Sequence, residues 1–150
     1  PLKPFIYFHM QEWLAMLLSQ KGLEEKMDNA WKGANSTPVS QTSDMRDIFD
    51  RSMLQEFRGP DGKHFSLGEE CNEGCYVFSL CINFFDPLGN KQAGKQISIG
   101  AISLICLNLP PDIHYKPENI YLAGIVPGPS EPPLSTLNNY MAPLVDAFLE

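Results

Sequence analysis

Past residue 75 the apolar residues stop recurring in steps of three and four and begin to alternate. The run 76–85, YVFSLCINFF, is aromatic, β-branched or small almost throughout and is bounded by Gly74 and Pro87, which predicts a strand. Period two places Tyr76, Phe78, Leu80, Ile82 and Phe84 on one apolar face, expected to meet a core. Val77, Ser79, Cys81 and Asn83 share the other face. Residues 96–109, QISIGAISLICLNL, read as a second strand covered on both faces, and residues 119–126, NIYLAGIV, as a third. The loops between them are short, so consecutive strands are expected to pair antiparallel. A helix follows, capped by Ser130, with Pro132 and Pro133 in its first turn, where proline is tolerated. Its apolar positions are Leu134, Leu137, Met141, Leu144, Val145 and Phe148, and Pro143 is expected to kink or restart it.

The first half has helical spacing. Phe5, Phe8, Trp13, Leu14, Met16, Leu17 and Leu18 predict a helix over 5–20, ending at Gly22. A second runs from Leu23 to Trp31, with Glu24 and Glu25 favoured in its first turn by the helix dipole. Residues 33–42 form a polar linker. Thr42 or Ser43 then caps a third helix carrying Met45, Ile48, Phe49, Met53, Leu54 and Phe57, which the GPDG turn at 59–62 stops. The fold class is therefore α+β: N-terminal helices over 1–60, then a three-stranded antiparallel meander and a helix within 61–150. Many α+β folds open this way, so periodicity alone does not choose among them.

The chain has 150 residues, a single-domain length, with 43% apolar and 19% charged residues. No apolar run reaches the ~18 residues that suggest a membrane span, and no secretion signal opens the chain. It begins at Pro1 and stops inside the amphipathic PLVDAFLE pattern, so it reads as a piece cut at both ends. The net charge of −7 argues against this segment gripping DNA by itself, because phosphate binding needs clustered Lys and Arg. Of the four cysteines, Cys71 and Cys75 form a lone CNEGC. Zinc needs four ligands, and even with His64 the set is incomplete, so free thiols are the favoured reading. There is no GxSxG, so hydrolase chemistry of that kind has no support, and His9, His64 and His114 are far apart in sequence.

The string INFFDPLGNKQAGK at 82–95, followed by LNLPPDIHYKPENIYLAGIVPGPSEPPL at 107–134, resembles the transposases of fungal CACTA-type DNA transposons. The likeness is strong over residues 74–150 and weaker upstream. It selects a fold, the incomplete opening of an RNase H-like catalytic core. In that family the first metal-binding aspartate precedes an aromatic pair and a Pro-x-Gly-Asn turn. Here Asn83 stands at that position, before Phe84, Phe85 and the turn Pro87-Leu88-Gly89-Asn90.

The resemblance implies a nuclear protein that cuts transposon ends and joins them to target DNA using Mg²⁺ or Mn²⁺. Carboxylates hold the metals that activate a water or 3′-hydroxyl. Asparagine keeps an oxygen but loses the charge that hard cations prefer. Asn83 is thus the altered catalytic and metal position, and Asp86 the candidate replacement. Asp86 sits three residues on, a spacing that favours the opposite face, and an Asp before Pro-Leu-Gly ordinarily starts the turn. Lys91 and Lys95 are candidate DNA phosphate contacts, with solvated loop lysines as the competing reading. The later acidic residues of the family would lie beyond Glu150. The expectation is a fragment or decayed copy, inactive alone, that meets transposon-end DNA only through the full-length protein. The alternative is a domesticated interaction module without catalysis, its helical half packing on a partner or dimerising. A sheet without its later strands would expose edges and apolar surface.

Overall fold

The structure is a computed structural model and describes residues 3–34, 48–59, 62–64, 74–87, 89 and 98–149. The elements run β1 (Ile6–Tyr7), α1 (Met10–Leu18), α2 (Leu23–Ala34), a 3-10 turn (Ile48–Asp50) and α3 (Ser52–Gln55). They continue with β2 (Phe78–Phe85), β3 (Ile99–Cys106), a 3-10 turn (Pro117–Asn119), β4 (Ile120–Val126) and α4 (Leu134–Ala147). The chain is mixed α+β, with one antiparallel sheet in the order β1-β4-β3-β2.

β2, β3 and β4 form the expected meander, and a fourth strand joins it from the N-terminus. Residues 5–8 are aromatic or β-branched and suit a pleated surface better than a helix. Ile6 pairs with Ile125 and Tyr7 with Gly124, and the Phe8 N–H donates to the Ala123 carbonyl at 2.9 Å. The helix expected over 5–20 therefore starts only at Met10, after His9 in extended conformation. Gly124 makes room for this edge: a Cβ there would lie 2.7 Å from the Phe5 ring.

β2 keeps the predicted sidedness. Phe78, Ile82 and Phe84 turn toward the core, while Ser79, Cys81 and Asn83 are exposed on the other face. Leu80 departs from expectation, being 49% exposed on the core-facing side. β3 is shorter than the run 96–109 and is fully covered on one face only. Gly100, Ile102, Leu104 and Cys106 are buried, and the alternating residues are half-buried. The pairing shifts at Ile102/Ser103, where Ala123 is an extra residue on β4. That bulge lets both Ala123 and Gly124 turn inward.

α1 buries Met10, Trp13 and Leu17, one helical stripe, against the sheet, with Trp13 stacked on Tyr121 at 5.1 Å. Leu23 and Met27 of α2 and Leu144 of α4 complete the same core, which draws on both sides of residue 60. α4 begins at Leu134 after Pro133 rather than at Ser130, and it runs through Pro143. α3 is one turn long, and the expected cap at Thr42 or Ser43 lies outside the described residues. No helix among the described residues is long and apolar enough to cross a membrane.

Candidate functional site

Asn83 lies in the C-terminal half of β2, opposite Ala101 of β3. Its side chain stands on the open face of the sheet and is exposed. The nearest positions on that face are Cys81 and Phe85 along the strand and Ala101 and Ser103 across it, none of them a carboxylate. Asp86 follows the last residue of β2 and is exposed. Its backbone carbonyl accepts the Gly89 N–H at 3.3 Å, and Gly89 has φ of 61°, a conformation that suits glycine. Asp86 thus opens a turn, as its place before Pro87 suggests. Among the described residues, no three His, Cys, Asp or Glu side chains gather into a group able to hold a metal ion. Lys91, Lys95 and Cys71 lie outside the described residues. Cys75 is half-buried, and His64 pairs as an isolated bridge with Arg58.

A second feature lies on the opposite face and was not foreseen. Met53 and Leu54 of α3, Phe57 just beyond it, Phe78 and Leu80 of β2, and Met141, Val145 and Phe148 at the end of α4 line an apolar groove of about 540 Å³. Leu104 and Leu144, each 2% exposed, also line it. Met53 is 75% exposed and Phe57 54%, so much of the rim meets water. The exposed Leu80 is explained here: it faces this space rather than a covering helix.

At the end of the groove, Tyr76 Oη donates to Asp28 Oδ1 at 3.2 Å. Burial, together with the Asp28 charge and hydrogen bond, pushes the Tyr76 phenol up to about 12. Burial likewise pushes the Cys106 thiol up to about 11, which leaves it in its poorly nucleophilic form near neutral pH. Tyr121, wholly buried, donates to the Phe8 carbonyl, and burial raises its phenol strongly.

Asn108 is a buried polar side chain, 2% exposed. Its Oδ1 accepts the Val77 N–H at 2.7 Å, and its Nδ2 donates to the carbonyls of Cys75 (3.0 Å) and Met27 (3.3 Å). One amide thus joins α2, the entry to β2 and the exit from β3. In the next turn, His114 Nδ1 donates to the Leu109 carbonyl at 3.2 Å, and Asn119 Nδ2 to that of Ile113 at 2.9 Å. His114 Nε2 and Asn119 Oδ1 are buried without a partner among the described residues.

Comparison with protein-family models, with curated proteins and with solved structures returns no match for this chain.

Proposed function

We propose that the chain derives from the opening of an RNase H-like transposase core and does not cleave DNA as it stands. The observation that supports this reading is a meander, β2-β3-β4, followed by α4, with residue 83 in the C-terminal half of the meander's first strand and on an open face. In that reading Asn83 replaces the first metal-binding carboxylate, and a neutral amide holds a hard divalent cation poorly. Mg²⁺ or Mn²⁺ and transposon-end DNA belong to the intact family's activity, as does the nucleus. The acidic chain alone grips DNA weakly.

The test compares the chain with Asn83→Asp. Calorimetry should detect tighter Mn²⁺ binding by the variant, and neither protein alone should nick supercoiled DNA in Mg²⁺. Metal-dependent nicking by the unaltered chain would overturn the loss of catalysis. Equal Mn²⁺ affinity in the two proteins would remove residue 83 from any metal role.

A second reading is an interaction module that has kept the fold without the chemistry. The apolar groove between α3 and α4 favours it, since exposed apolar surface of this kind marks binding grooves.

A further inference from the structure

The end of the sheet carries a demand that the groove and the open face do not. Among the described residues, β2 pairs with β3 alone, so its other side presents a row of backbone N–H and C=O groups. Natural sheets protect such an edge with Lys, Pro, a bulge or brevity. β2 has none of these. It is eight residues long, FSLCINFF, with no charge, no proline and an unbroken register against β3. The opposite edge is the two-residue β1.

We infer that two copies of the chain join β2 to β2 across a two-fold axis, making one continuous antiparallel sheet. The sequence of β2 is complementary to itself in a particular register. A two-fold axis perpendicular to the sheet keeps both core faces on one side, so each residue meets a partner of the same sidedness. With the axis at Cys81, Phe78 lies opposite the other copy's Phe84 and Leu80 opposite its Ile82, extending the apolar layer. On the open face Ser79 lies opposite Asn83, two groups that hydrogen-bond, and Cys81 lies opposite its own counterpart. Aromatic, aliphatic and polar side chains therefore meet their own kind, the pairing that stabilises neighbouring strands. The contact is isologous and uses β2, the longer of the two sheet edges among the described residues, so it closes at two. It does not depend on the chemistry assigned to residue 83.

Sedimentation equilibrium of the whole chain tests this, with diamide crosslinking as a second readout. Directly opposite Cα atoms in an antiparallel pair lie ~4.5–5.5 Å apart, within disulfide range. Diamide should therefore link Cys81 to Cys81, taking up the two electrons and two protons that the thiols release. The expected mass is twice that of one chain. The double variant Ser79→Lys with Asn83→Lys sets lysine against lysine twice and should raise the dissociation constant about tenfold or more. Ser79→Lys with Asn83→Glu sets opposite charges together and should keep the dimer. All these side chains are exposed, and an unchanged far-ultraviolet circular dichroism spectrum checks the fold. A monomer at all concentrations, open-ended aggregation, no Cys81–Cys81 link, or equal dimerisation of the two double variants would each overturn the inference.

Discussion

At the scale of single residues, Asn108 ties three distant segments together. Its amide satisfies backbone groups of Val77, Cys75 and Met27, the last buried and the other two part-buried. Asn108→Ala should lower stability by about 1–3 kcal/mol, because buried polar groups left without partners cost roughly that much. Urea unfolding should show an earlier midpoint with unchanged slope. Nothing in the string LNLPP signals this role, since an asparagine before two prolines reads as turn chemistry and its partners lie 31 to 81 residues away. Tyr76 offers a pH test. Its phenol is held neutral up to about 12, against an ordinary value of 10. Its contribution is fully present below pH 10 and is lost as pH rises through 12, because only the unfolded chain releases the proton in that window. Tyr76→Phe should therefore show a shallower loss of stability between those pH values in alkaline denaturation. By contrast, Asn83 was legible as an outward strand residue from period two alone. Its proposed ancestry came from resemblance, not from spacing.

At the scale of elements, the N-terminal strand shows where sequence pattern runs out. Two residues are too few to reveal a period, and Phe5 and Phe8 fall by accident into steps that extend the stripe of α1. Pairing with β4 decides the matter, and Gly124 permits it by leaving room for the Phe5 ring. Phe5 also meets Tyr140 of α4 edge-on at 5.1 Å, and Tyr7 Oη donates to the Pro143 carbonyl, so β1 clasps sheet and helix together. Gly124→Ala would drive a Cβ into that ring and to 3.1 Å from the Ile6 carbonyl. It should cost ~1–3 kcal/mol, in the manner of an overpacked core. Hydrogen exchange should also accelerate selectively at the Phe8 amide. β2 was readable because its faces differ chemically. β3 is apolar on both, and only the packing of α1, α2 and α4 on a single side shows which face is buried.

At the scale of the whole molecule, the helices α1, α2 and α4 share one side of the sheet, and the other side stands more open. Phe85 is there beside Asn83, and Leu122 on β4, both nearly half exposed. The meander and its closing helix were legible because each strand is bounded by Gly or Pro; the connections, residues 86–98 and 107–119, are longer than the short loops expected. The groove was not, because its walls come from residues 53–57, 76–80 and 141–148, segments that no local pattern connects. The sheet also joins the two ends of the described chain: the Tyr121 hydroxyl reaches a carbonyl 113 residues earlier, and Ile6 waits for Ile125. On the ribosome, then, the first strand emerges long before its neighbour exists. Contacts of such sequence separation form slowly, and an unpaired strand is a hazard while it waits. Until residues 120–126 have followed it, FIYF is a short sticky peptide, and pairing with β4 relieves it.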